Sequence, residues 1–278
     1  MKKKILKIGA LVLAIVLIVG VCLFANSLIG NPISKALAKN TAEKYIEEKY
    51  PESDFELGEV NYSFKDGYYH AHVSSPSSMD SSFTLLINGL GKLRYDYYEN
   101  NVTNGWNTAY RLRDDYREAV DALLESSSFG YNVILGYGDI AFVAPEDKDI
   151  LDPPSYAIDT SELELDAYYN VSEFGARAGK LTLHIGDNTV SNERMAEILL
   201  GIRKCFDEAK IGFFTIDCVL EYSQDDSGNY KHGRVEVNEF LYEDIYEEGL
   251  VERVSKAAEE AENYYYEADD EKFFEEAE

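Results

Sequence analysis

The stretch Glu59-Val60-Asn61-Tyr62-Ser63-Phe64-Lys65-Asp66-Gly67-Tyr68-Tyr69-His70-Ala71-His72-Val73-Ser74 decides how the chain is read. Val60, Tyr62 and Phe64 alternate with polar residues, and Tyr69, Ala71 and Val73 do so again after the break. Successive side chains of a strand point to opposite faces, so each half has one apolar face. Asp66-Gly67 supplies the turn, because glycine accepts the positive φ of a tight hairpin. A second hairpin follows, Phe83 to Asn88 and Leu93 to Tyr98, joined through Gly89-Leu90-Gly91. The apolar face needs a cover, and helices flank the strands. Upstream, Asn31 is placed to cap and Pro32 to open a helix that runs to Lys49 and ends before Pro51. Its inward stripe reads Ile33, Leu37, Ala38, Ala42, Tyr45 and Ile46. Downstream, Trp106, Ala109, Leu112, Tyr116, Val120 and Leu123 recur at helical spacing between Asn104 and Glu125. Helix, four antiparallel strands and helix predict an α+β domain over residues 31–128.

A mixed α/β unit is expected over residues 129–250. It begins with a strand over Asp139–Val143 and passes through a loop holding three of the six prolines, Pro145, Pro153 and Pro154. Leu181–Ile185 reads as a strand. Asn192–Lys210 reads as a helix with Met195, Ile198, Leu199, Ile202, Phe206 and Ala209 inward. Strands Phe213–Tyr222 and Arg234–Phe240 are split by the turn Asp225-Asp226-Ser227-Gly228-Asn229. Residues 251–278 form an acidic tail, helical through about Tyr265 and fraying beyond it. From Leu241 to the end there are 15 acids against 3 bases.

At the other end, residues 8–29 carry no charge, and at about 1.5 Å per residue a helix of that length crosses a hydrocarbon core roughly 30 Å thick. Residues 1–7 hold Lys2, Lys3, Lys4 and Lys7, which favour the cytoplasmic side and direct the following domains outward. Ala25 and Ser27 have the small side chains and spacing of a signal-peptidase site. The apolar run exceeds a signal-peptide core and continues past them, which favours a single-pass signal anchor. Cys22 follows Val21 and not a small residue, so it reads as an inert thiol in lipid and not as a lipoprotein site.

The whole chain has 52 acids and 26 bases, a formal charge of −26. Residues 1–30 hold four of the lysines and no acid, leaving 52 acids against 22 bases, a net of −30, on the outer part. Such a field repels phosphate backbones, so nucleic-acid binding is excluded as a function. With 45% hydrophobic and 13% aromatic residues the chain still builds packed cores.

Several residues have side chains suited to chemistry. Cys205 and Cys218 face one helix–sheet interface, but their heights differ by roughly 14 Å where a disulfide tolerates roughly 7 Å between Cα atoms, so both are expected as buried thiols. His70 and His72 share a strand face, as two metal ligands can, yet no third ligand is placed beside them by sequence, whether His184, His232 or a carboxylate. A solvent face is the expectation. The Asp225–Asn229 turn lacks the alternating acids and terminal Glu of a calcium loop. Gly136-Tyr137-Gly138 is too short for a nucleotide loop, and the Ser74–Ser82 cluster reads as a connection. No catalytic, cofactor-binding or metal residue is assigned, and the chain is expected not to be an enzyme. The 22 tyrosines, among them Tyr95, Tyr97, Tyr98 and Tyr264-Tyr265-Tyr266, suit core packing and a recognition surface. Arg94, Arg111, Arg113 and Arg117 are expected as a basic patch on which the acidic tail docks.

The runs Asn31-Pro32-Ile33-Ser34-Lys35, Thr41-Ala42-Glu43-Lys44-Tyr45, Lys49-Tyr50-Pro51, Tyr62-Ser63-Phe64-Lys65-Asp66-Gly67, Gly105-Trp106-Asn107-Thr108-Ala109 and Phe240-Leu241-Tyr242-Glu243-Asp244-Ile245-Tyr246-Glu247-Glu248-Gly249 resemble the YfjL-like proteins of Gram-positive bacteria. The resemblance implies an uncharacterised membrane-anchored protein with two small outer domains, and it transfers no activity or site residue. Three functions remain. The first is a binding module for a protein or cell-envelope partner on the outer side of the cell membrane. The second is a sensor of cations or of the envelope's state. The third is an envelope hydrolase with a scattered site.

Overall fold

The computed structural model describes the backbone of residues 2–223 and 231–275, and their side chains except at 2–8, 10, 22, 23 and 264–275. Its architecture is α+β, in two compact units: residues 1–108 with 164–166, and residues 109–163 with 167–278.

In the first unit, α1 (Lys2–Ile29) is followed by α2 (Pro32–Lys49) and by β1 (Glu56–Ser63), β2 (Tyr68–Ser74), β3 (Ser82–Ile87) and β4 (Leu93–Asp96). The strands form an antiparallel sheet in sequence order. An 18-residue window of α1 has a mean hydropathy of 2.8 and none of it is buried, so this helix is long and apolar enough to cross a membrane. Gly30 separates α1 from α2 at φ +69°, and a Cβ there would press on Tyr62 and on the Tyr69 hydroxyl. Asn31 then caps α2, its side chain accepting from Ser34 N at 2.8 Å. The helix lays Ala38, Ala42 and Ile46 on Val60, Tyr69, Ala71, Val73, Phe83, Leu85 and Ile87 of the sheet. The stripe is narrower than the sequence suggested, since Ile33 and Leu37 are exposed. At 100° per residue, Ile33 lies about 140° and Leu37 about 100° round the helix from Ala38, off the face that the small alanines press down. Phe64 is also exposed, because the strand ends at Ser63 and Phe64 opens the turn.

In the second unit, β5 (Asn132–Ile140), β6 (Phe142–Val143), β7 (Ile158–Asp159), α4 (Val171–Ala178), β8 (Gly179–Asp187), α5 (Asn192–Ala209), β9 (Thr215–Tyr222), β10 (Arg234–Leu241) and α6 (Leu250–Glu275) follow α3 (Trp106–Leu124). The main sheet has the order β10-β9-β8-β5. Its central pair β8–β9 is parallel and is joined through α5, the crossover a parallel pair requires, while the outer pairs are antiparallel. Leu181, Leu183, Ile185, Ile216, Cys218 and Leu220 face Met195, Ile198, Leu199, Ile202 and Phe206 of α5 in one core.

Several expectations change here. Leu112, Tyr116 and Val120 of α3 belong to the second core, so the helix expected to close the first domain serves the second sheet from Ala109 onward, and the division falls at 108 and not at 128. Gly136 and Gly138 explain why: Cβ atoms there would lie 2.8 Å from Leu124 Cδ1 and 2.7 Å from Val120 Cγ2, so the glycines let α3 settle onto β5. The acidic tail is not separate from its start either. Leu250, Val254 and Ala261 of α6 are buried and the helix packs on β10 and α5. The expected strand at Asp139–Val143 is the end of β5 plus β6, and the linker holds β7. Ala209 is exposed at the frayed end of α5, where Lys210 takes the left-handed conformation.

Candidate functional site

The second sheet carries helices on one face, and its other face is partly open. Register assigns that face: Leu135 lies opposite His184, Tyr137 opposite Thr182 and Asp139 opposite Lys180, while Gly136 and Gly138 point under α3. A bulge between Val133 and Leu135 inserts Ile134, whose Cδ1 would lie 3.3 Å from a Cβ on Gly186 of the open face. Ile134, Leu135 and Tyr137 are thereby left 54%, 50% and 36% exposed along an edge strand. A groove of about 610 Å³ runs beside them, lined by Asp121 and Leu124 of α3, by Glu125 just past its end and by Tyr131 to Gly136. Burial raises the Tyr131 hydroxyl above the ordinary tyrosine range. The sequence reading passed over this strand, although Val133-Ile134-Leu135 before a Gly-x-Gly was a signal of an apolar strand approached closely by another element.

The residues singled out by sequence are dispersed. His70 and His72 sit on the solvent face of β2, paired in register with Leu86 and Thr84 of β3. His70 Nε2 lies 2.8 Å from Asp66 Oδ2. Burial would raise the Asp66 carboxyl, but the Tyr68 amide and His70 outweigh it and hold it below the ordinary carboxylate range. Among the described residues no three His, Cys, Asp or Glu side chains converge as metal ligands. Cys218 is fully buried and its thiol is pushed up to about 12 by burial and then by Asp217, whereas Cys205 is only half-buried, its Sγ 3.9 Å from Ser128 O. The Cys22 and Tyr264–Tyr266 side chains and the Asp225–Asn229 turn lie outside what the structure describes.

The four arginines of the expected patch divide between the two units. Arg94 lies in the first unit and the other three in the second, where acids meet them. Arg113 Nε and Arg117 Nη2 stand 3.6 and 4.0 Å from Asp139, and Arg111 donates to Ala167 O at 2.8 Å. In the first unit Asp96 Oδ2 accepts the Tyr45 and Tyr50 hydroxyls at 2.9 and 2.7 Å, within a cluster of Tyr50, Phe55, Phe83 and Tyr98 rings. The Ser-rich connection is tied in as well. Ser75 Oγ donates to Asp54 at 2.6 Å, Ser78 Oγ to Asp166 at 2.9 Å, and the Thr108 hydroxyl to the buried Asp80 at 2.9 Å.

Residues 2–97 match the family model described as YfjL-like, N-terminal domain, and residues 115–255 match the YfjL-like C-terminal domain. The chain belongs to the YfjL-like family. The C-terminal YfjL-like domain opens inside α3 ahead of Tyr116, in keeping with the packing of that helix on the second sheet. All of β5, together with Glu118, Asp121 and Glu125, falls within it. No curated protein and no solved structure matches this YfjL-like chain.

Proposed function

We propose that this protein is anchored in the cell membrane by α1, with its N-terminus cytoplasmic and its two domains outside, where they act as a binding module for a protein or cell-envelope partner. The apolar length of α1 supports the anchor, and the lysines before it support the orientation. The observation that carries the binding reading is the β5 edge. An uncovered edge strand with Ile134, Leu135 and Tyr137 in solvent is a liability in a domain with no use for it. Turnover has no comparable support, because the shifted carboxylates among the described residues, and Lys180, are held in structural bonds. Asp187 is bonded to Arg194 at 2.8 Å, Lys180 to Asp217 at 2.8 Å and Asp159 to Lys148 at 2.7 Å.

Crosslinking in intact cells followed by pull-down of the full-length protein tests this. A discrete partner in stoichiometric amount is expected, and Leu135→Lys should remove it while leaving the melting temperature unchanged, since the side chain is on the surface. Recovery of no specific species, or of the same species with Leu135→Lys, would overturn the proposal.

A further inference from the structure

We infer that the β5 edge takes up an extended polypeptide segment of alternating apolar and basic residues as an added strand; this rests on the binding reading above and names the chemistry of its partner. β5 ends the sheet, so from Asn132 to Tyr137 alternate backbone N–H and C=O groups face outward with no described strand beside them. Natural edges are guarded by charge. Among the edge strands of the two four-stranded sheets, β1 carries Glu56 and Glu59, β4 carries Arg94 and Asp96, and β10 carries Arg234, Glu236 and Glu239. β5 carries none from Asn132 to Gly138.

The two faces that a docked strand would meet differ in chemistry. On the open face it meets Ile134, Leu135 and Tyr137. On the helix face it meets an acidic row at helical spacing, Asp114, Glu118 and Asp121 of α3 and Glu125 just past its end, of which Asp114, Glu118 and Glu125 are exposed and Asp121 is half-buried. Asp121 and Glu125 line the groove with β5, and a second depression of about 410 Å³ continues along the helix between Asp114, Glu118, Asp121 and Glu125. The arginine in that row, Arg117, is turned to Asp139 and to the Tyr137 ring, 5.7 Å from its centroid. Because strand side chains alternate, a segment that satisfies both faces has apolar residues at every second position and Lys or Arg between them. A second copy of β5 fits less well, since it has no basic residue for the acidic stripe.

The test uses the full chain in nanodiscs of zwitterionic lipid, with empty nanodiscs as blank, and fluorescent octapeptides read by anisotropy. Four Val-Lys repeats should bind saturably, and four Val followed by four Lys at least tenfold more weakly. Asp121→Lys with Glu125→Lys should weaken the Val-Lys peptide at least tenfold and create binding of a Val-Glu repeat. Equal binding of the repeat and block peptides, or an unchanged affinity in the double variant, would overturn strand addition. So would self-association through β5 that the Val-Lys peptide fails to displace. If the peptide fails while the pull-down still loses its partner on Leu135→Lys, the binding module stands and only its partner's chemistry is wrong; if neither responds, both fall.

Discussion

Tyr116 is fully buried, its hydroxyl donating to Gly212 O at 3.0 Å, and the chain makes room for its ring with glycines. A Cβ on Gly138 would stand 2.8 Å from Tyr116 Cε1, one on Gly179 2.7 Å from its hydroxyl, and one on Gly175 would collide with Gly212 O and the ring. Periodicity marked Tyr116 as inward. It did not reveal which core receives it, because the glycines that make room for the ring are up to 179 − 116 = 63 residues away and the carbonyl that accepts its hydroxyl is 96 away. The tyrosines predict an alkaline limit for the fold. Burial, then the hydrogen bond and charge of Asp96, push the Tyr45 hydroxyl from its ordinary 10.0 up to about 12, and burial raises Tyr50 and Tyr116 as well. These groups are neutral in the fold and their folded values exceed the unfolded one. Their contribution is therefore complete below about pH 10 and is lost as the pH climbs toward about 12. Thermal melts across the alkaline range should show a level melting temperature up to about pH 10 and a steep fall above it. A melting temperature that stays level to pH 12 would contradict the role given to these hydroxyls.

At the scale of elements, the hairpins of the first sheet were legible because the stretch Val60–Val73 alternates on both sides of its turn and both turns carry glycine, although the pairing shifts register near Leu57 and Leu86. The α2 start was legible because Asn31-Pro32 is a local signal, and the cap forms as read. β5 was not legible over most of its length. Its bulge and two glycines break the alternation, and its exposed face is apolar where a solvent face is usually polar. α4, only 8 residues long, is too short to declare a period. α3 was read correctly as a helix with the right buried stripe but placed in the wrong core, since an amphipathic stripe does not name the sheet it covers. Its placement has a measurable consequence. Leu112 is 1% exposed, so Leu112→Ala should destabilise its unit by about 2–5 kcal/mol, as buried leucine truncations do. Hydrogen exchange should then quicken in β5 and β8 and stay unchanged in β1 to β3. Loss of protection in β1 to β3 instead would return α3 to the first sheet.

At the scale of the whole molecule, the charge was read early and it constrains function more than fold. Residues 31–278 carry a net of −30, a field that disfavours polyanions as ligands and favours cationic partners. The structure locates part of that charge on α3, beside an edge strand that carries no charge over Asn132–Gly138. The candidate site was invisible in the sequence for this reason: it is formed by a helix face and a strand edge, each unremarkable alone. The claim that this edge meets a partner outside the cell is tested most directly by photo-crosslinking in intact cells, with a photoreactive residue placed in turn at positions 134, 135 and 137, and at the exposed positions 61 and 204 as comparison. The three β5 positions should give the same discrete adduct and positions 61 and 204 none. No adduct from β5, or the same adduct from all five positions, would contradict the account.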